Sequence, residues 1–196
     1  MIVSEAGAAA ALRQGRVVAV PTDTVYGLAV DPALSHATAA LFALKGRPDA
    51  QALPVLVAGS DDARALAGPE AWTAAVQRLA AVLWPGALTL VVTRRAGLDW
   101  DLGGDPATIG LRVPAAASLL RLCRAVGPLA TTSANRHGEP PCVTAEEVAS
   151  CFGPELDVLD GGRRDSPPST VVDVTGPVPT CLRQGAIAWE EIAAIL

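Results

Sequence analysis

The sequence predicts a single α/β domain over residues 1–196, and three observations carry that prediction. Short β-rich apolar runs, such as those at 17–20 and 169–174, are interspersed with longer Ala- and Leu-rich stretches of helical composition, the order that builds a sheet flanked by helices. Gly and Pro punctuate the junctions, and there is no long linker, internal repeat or low-complexity tract. Hydrophobic content of 51% against 18% charged residues indicates a well-buried core, and with aromatics at 4% that core is filled by Val, Leu and Ala.

Each element follows in order. Residues 4–14 read as a first helix, with Ser4 as N-cap and Gly15 as its stop. The run 17–20 is a buried strand that ends at Pro21, which cannot donate to a sheet ladder. A polar loop leads to a second strand over 25–30. Ser35 caps a helix, SHATAALFALK, whose last turn delivers Lys45 and Arg47 before Pro48. Residues 53–58 form another buried strand. Ser60, Asp61 and Asp62 open a short helix, and a longer one spans 69–83, stopped by Trp84-Pro85-Gly86. Strands are expected over 87–93 and 108–113, the second carrying Arg112 inside an apolar run; Arg94 and Arg95 open the Gly/Asp loop between them. Residues 115–126 are helical by composition, and 128–132 form a short strand running into Thr131, Thr132, Ser133, Ala134 and Asn135. Thr144 and Glu147 have capping-box spacing for a helix to Cys151. Strands over 156–159, 169–174 and 180–183 and a helix over 189–196 complete the chain.

Composition bounds the function. A net charge of −5 argues against broad nucleic-acid binding, which needs a clustered positive surface, yet is compatible with a local basic cleft. No apolar run approaches a membrane span, and the N-terminus lacks the basic start of a signal peptide, so the expected location is cytoplasmic with no membrane partner. Cys123, Cys142, Cys151 and Cys181 have neither CxxC pairing nor zinc spacing and read as free thiols in a reduced compartment.

The densest chemistry lies in VVAVPTDTVYGLAVD at 17–31, read with LKGRP at 44–48. Thr22, Asp23, Thr24 and Tyr26 are either a turn satisfied by its own side-chain hydrogen bonds or the floor of a site. Lys45 is the only lysine among 15 basic residues and Asn135 the only asparagine, which marks both as chemically required in a chain that otherwise favours arginine. Taken alone, Lys45 also suits a dipole partner at a helix C-terminus, and Arg112 needs an anionic partner only if it points inward. Lys45, Arg47, Arg112, Arg136 and Arg183 are cations beside predicted element ends, and Thr24, Thr108, Ser133, Asn135 and Ser169 are small polar groups at similar ends, where ligands gather in α/β sheets. The sequence has no catalytic carboxylate pair, Ser–His–Asp order, metal-ligand cluster or Walker A loop, and His36 and His137 are its only histidines. Cations without a nucleophile point to nucleotidyl or phosphoryl transfer, where positioning and charge stabilisation do most of the catalysis.

PTDTVYGL, LKGRP, WPGALTLVV, GLRVP, PLATTSAN, STVVDV and LRQG occur in that order between residues 17 and 185. Together they resemble the YrdC-like family of threonylcarbamoyl-AMP synthases, whose hallmark is KxR followed by SxN. The resemblance implies a twisted mixed β-sheet with surrounding helices and a deep basic cleft, in the short, single-domain form. It implies that L-threonine, bicarbonate and ATP are converted to threonylcarbamoyl-AMP and diphosphate. A tRNA-modifying threonylcarbamoyl transferase complex downstream would use the product on the adenosine beside the anticodon, and a weak tRNA contact is compatible with this.

By the same resemblance Lys45 and Arg47 are catalytic and, with Ser133 and Asn135, hold the ATP phosphates and nucleotide; Thr108 and Arg183 also face the nucleotide. Thr24, Arg112, Thr131 (through its backbone) and Ser169 line the threonine pocket, where Arg112 suits a bidentate pair with the amino-acid carboxylate. Mg²⁺ is expected to ride mainly on the ATP phosphates, with no metal-ligating side chain. The chain departs from the family pattern at Leu56, where many relatives have His, and lacks the His after Arg112-Val113-Pro114. SANRHGEPPCVT replaces the usual SANxSGxPSPT, and SPPSTVVD lacks the Gly before Ser-Thr. Two other readings use the same residues. A related carbamoyl-adenylating domain or inactive paralogue would differ at Arg112 and Thr24. A non-catalytic RNA-binding module is opposed by net acidity and scarce stacking aromatics.

Overall fold

The computed structural model describes residues 1–46, 52–136 and 138–196. Its strands are β1 (Ile2–Val3), β2 (Val18–Pro21), β3 (Tyr26–Val30), β4 (Val55–Leu56), β5 (Leu88–Thr93), β6 (Thr108–Arg112), β7 (Leu129–Ser133), β8 (Asp157–Leu159), β9 (Thr170–Asp173) and β10 (Thr180–Arg183). Its helices are α1 (Glu5–Arg13), α2 (Ser35–Lys45), α3 (Ser60–Leu66), α4 (Ala74–Leu83), α5 (Ala117–Val126), α6 (Ala145–Phe152) and α7 (Trp189–Ala193). The strands form one mixed sheet in the order β1-β8-β2-β3-β7-β4-β6-β5-β9-β10. Pairings β1–β8, β8–β2, β4–β6 and β5–β9 are parallel and the rest antiparallel. The expected α/β class with a mixed sheet and flanking helices is the architecture found.

Local chemistry sets most boundaries. Ser4 and Thr144 are N-caps whose hydroxyls accept from the Gly7 and Glu147 amides. Ser35, read as a cap, is instead the first residue of α2, and Leu34 takes the cap position without a side-chain bond. The helix expected over 69–83 divides into a 3₁₀ turn, Pro69–Ala71, and α4, because Thr73 caps α4 by accepting from the Val76 amide. The strand ends at Pro21 as expected, with the proline itself the last residue of β2, opposite Tyr26. The Thr22 amide donates to Val25 O and the Tyr26 amide to Cys142 O, while β8 pairs only with Val18 and Ala19, so neither neighbour asks Pro21 for an N–H.

Alternation along the strands sorts core from cavity. Val18, Val20, Ala29, Leu56 and Leu129 pack against Ala8 and Leu12 of α1 and Leu119 and Leu122 of α5. The residues between them, including Ala19, Leu28, Val30, Val55 and Ala130, join a larger core with Leu41 of α2 and Leu79 of α4. Helices thus cover both faces of this half of the sheet, and each fully buried leucine there contributes about 1.5–3 kcal/mol. Farther along, Leu88, Leu90, Val92, Ile109, Leu111 and Val172 continue the larger core. Their intervening neighbours Thr89, Val91, Thr108, Gly110, Arg112 and Val171 line a cavity instead.

Candidate active site

The cavity has a volume of about 560 Å³. Thr24, Lys45, Thr108, Arg112, Thr131, Ser133, Asn135, Ser169 and Arg183 all line it, so the site residues named from sequence converge there apart from Arg136 and from Arg47, which lies outside the described residues. Arg136 is not part of the wall; it is exposed, lies over the Phe152 ring at 5.6 Å and donates to Cys151 O.

Lys45 ends α2 because Gly46 closes the helix in the left-handed conformation (φ 61°), which suits a residue without Cβ. The lysine is only 4% exposed. Its ammonium donates to Asn135 Oδ1 at 2.6 Å, to Ser133 Oγ at 3.1 Å and to the Ser133 carbonyl. Ser133 Oγ also donates to Asn135 Oδ1 at 2.6 Å. Asn135 Nδ2 donates to Arg136 O at 2.9 Å and Glu139 O at 2.6 Å. Asn135 therefore orients the lysine with its oxygen and the following loop with its nitrogen.

The two arginines form the other end. Arg112, the last residue of β6, donates from Nε to Gly86 O at 2.9 Å and from Nη2 to Asp23 Oδ1 at 2.7 Å. The free bidentate fork expected from sequence is thus partly engaged inside the protein. Arg183 donates from Nη2 to Ser169 O at 2.9 Å and Ser169 Oγ at 3.2 Å, and Ser169 Oγ lies 2.9 Å from Thr89 Oγ1. Desolvation, then the nearby Arg112 charge, lowers the pKa of Arg183. An anion between these guanidiniums would relieve that repulsion.

Hydrogen-bond direction fixes what Thr24 offers. Thr22 Oγ1 donates to Val25 O at 2.6 Å and accepts from the Thr24 amide at 3.0 Å. Thr24 Oγ1, 2.9 Å from Thr22 Oγ1, must then be the donor of that pair and keeps lone pairs for a ligand. Thr131 donates its amide to Pro54 O at 2.9 Å, so the backbone contact expected of it is left to its carbonyl. Tyr26 Oη accepts from the Gly161 amide at 3.0 Å and reaches Gly162 O at 3.0 Å, tying the 160–168 loop beside Thr24; burial raises its pKa.

The described wall contains no Asp or Glu, and the described residues contain no group of three or more His, Cys, Asp and Glu able to hold a metal. The Sua5_yciO_yrdC family model, described as telomere recombination, matches residues 10–185. The chain belongs to the Sua5/YciO/YrdC family. Within that family it is 41% identical over 197 residues to a Mycobacterium tuberculosis protein provisionally named a threonylcarbamoyl-AMP synthase, covering 100% of this chain and 88% of the relative. A Chromohalobacter salexigens threonylcarbamoyl-AMP synthase is 38% identical over 175 residues, 86% of this chain and 91% of its own. The crystal structure of P. abyssi Sua5 complexed with L-threonine matches with a TM-score of 0.91 at 33% identity, covering 100% of this chain and 61% of that one.

Sequence reasoning did not single out every residue of this cavity wall, nor every contact around it. Thr89 was readable as a lone hydroxyl in the apolar run ALTLVV, at the parity opposite Leu88 and Leu90. Asp23 was visible in the polar loop, but its pairing with Arg112, 89 positions away, had no sequence signal. Leu56, singled out from the sequence as a departure, lines the cavity while 3% exposed.

Proposed function

We propose that this chain is a threonylcarbamoyl-AMP synthase acting on ATP, L-threonine and bicarbonate. The observation that carries the reading is the convergence of the KxR lysine and the SxN serine and asparagine with Arg112 and Arg183 in one cavity. The threonine nitrogen attacks the bicarbonate carbon, water leaves, and an N-carboxylate forms. Its oxygen then attacks the α-phosphate of ATP, and diphosphate departs.

The chain's own residues supply charge and position. Lys45, held by Ser133 and Asn135, and Arg47 meet the phosphates, with Thr108 and Arg183 toward the nucleotide. Arg112 pairs with the amino-acid carboxylate through the N–H groups that Asp23 and Gly86 leave open, and Thr24 accepts from the ammonium or hydroxyl. Ser169 and the Thr131 carbonyl complete the amino-acid side. Mg²⁺ fits as a companion of the triphosphate: the described wall offers hydroxyls and cations but no carboxylate, and Mg²⁺ bound to phosphate keeps most of its waters.

The sheet runs through the chain from β1 to β10, which supports reading residues 1–196 as one domain. The product, an activated carbamoyl adenylate, needs an acceptor, so we assign its use to a tRNA threonylcarbamoyl transferase complex; a weak contact with tRNA belongs to the same proposal. No helix among the described residues is long and apolar enough to cross a membrane, and the four cysteines are unpaired, which supports a reducing cytoplasmic setting. The test is diphosphate release from ATP with threonine and bicarbonate supplied together or singly; release only with both is expected, and release independent of threonine would overturn the reading.

A further inference from the structure

The loop between β2 and β3 carries one carboxylate, Asp23, that stands beside the cavity without lining it. We propose that Asp23 is a positioning residue that sets the Arg112 guanidinium for the amino-acid substrate. The inference rests on the reading in which Arg112 meets the threonine carboxylate.

Arg112 and Asp23 side chains are 7% and 15% exposed, so their 2.7 Å contact is shielded from solvent. A guanidinium has five N–H donors in a rigid plane. Nε is fixed on Gly86 O at 2.9 Å and Nη2 on Asp23 Oδ1 at 2.7 Å, so two of those five donors are engaged. Gly86 is itself required where it stands, because a Cβ there would lie 2.4 Å from Leu83 O. With these anchors in place, the Nη1 pair and one Nη2 hydrogen remain for a carboxylate. Without Asp23 the plane is free to turn about its Nε anchor. Arg112 would also face Arg183 with no compensating charge, and the pKa of Arg183 is already lowered by desolvation and by Arg112. Asp23 therefore supplies orientation and charge balance, while the contact with substrate belongs to Arg112.

The test compares full-length Asp23→Ala, Asp23→Asn, Arg112→Ala and the Asp23→Ala/Arg112→Ala double variant. Diphosphate release is titrated with threonine at saturating ATP and with ATP at saturating threonine. Loss of one charge-assisted hydrogen bond predicts a rise of about tenfold in threonine KM for Asp23→Ala, with ATP KM changed less than about threefold. Asp23→Asn keeps an oxygen for Nη2 but no charge, so its threonine KM should fall between. In the Arg112→Ala background, Asp23→Ala should add nothing to threonine KM. A staple that merely stabilises the fold would move both KM values together, or only the unfolding midpoint, and either result would overturn the proposal. If Asp23→Ala does not fold, Asp23→Asn decides: an unchanged threonine KM overturns it. Should Arg112→Ala raise threonine KM while Asp23→Ala does not, Asp23 alone is wrongly placed. Should Arg112→Ala leave it unchanged, the amino-acid assignment fails as well.

Discussion

Lys45 Nζ donates to Asn135 Oδ1 across 2.6 Å, so the chain's only lysine and only asparagine meet in one buried bond. Two short motifs 90 positions apart are thereby one device. The asparagine oxygen aims the ammonium, and its amide nitrogen pins the loop that follows.

Removing the lysine should cost both catalysis and stability. Lys45→Ala leaves Asn135 Oδ1 and the Ser133 carbonyl short of a charged donor, a loss of about 1–3 kcal/mol in the folded state. The expected drop in kcat/KM is about tenfold to a hundredfold. Urea unfolding and steady-state kinetics check the two effects; wild-type values in both would remove Lys45 from the site.

Asn135→Asp is expected to be worse than Asn135→Ala. The carboxylate still accepts from Lys45, but its second oxygen replaces the nitrogen that now donates to Arg136 O and Glu139 O, at 2.9 and 2.6 Å. Oxygen facing oxygen pushes the loop away, and the added charge opposes a triphosphate. Calorimetry with ATP should show weaker binding by the Asp variant; equal or tighter binding contradicts this geometry.

Tyr26→Phe should loosen the 160–162 loop. The hydroxyl accepts from the Gly161 amide, and its loss strands that donor, worth about 1–3 kcal/mol. A lower urea midpoint with faster amide exchange at Gly161 is expected, and an unchanged midpoint would deny the tyrosine this role.

Much of this was legible beforehand, and the failures have physical causes. Hydroxyls and cations stood at strand and helix ends, whereas the inward facing of Arg112 was left open and Thr89 was not singled out, although a period of two sets both against their leucine neighbours. The caps at Ser4 and Thr144 had their sequence signals; the one at Thr73 was overlooked, so the expected helix began too early, at 69. Residues 53–58 read as a full strand, yet regular strand structure is confined to Val55–Leu56, between β6 and β7, with Pro54 O and the Val57 amide adding single flanking bonds. A two-residue strand such as Ile2–Val3 is too short to show periodicity. Ion pairs between distant segments, such as Asp23 with Arg112, depend on the finished sheet and leave no local trace.

The buried thiols predict an alkaline limb. Burial first, then Asp62, pushes Cys123 up from 9.0 to about 12; burial, then the Cys151 thiol, pushes Cys142 to about 11. Both pKa values are raised on folding, so the folded state holds these protons more tightly. Their contribution is complete below pH 9 and fades as pH climbs through 11 to 12. The urea midpoint should fall over that window, and a rising midpoint would contradict it. At pH 8, a thiol reagent should reach the half-buried Cys151 and Cys181 well before the buried pair.

The most direct measurement is diphosphate release from ATP by the wild-type chain, with threonine and bicarbonate each withheld in turn. An N-carboxylate forms only from the two together, so release should require both. Serine, lacking one methyl group, should be a poorer substrate by about 1–3 kcal/mol rather than an inert one. Diphosphate that appears at the same rate without threonine would contradict the account.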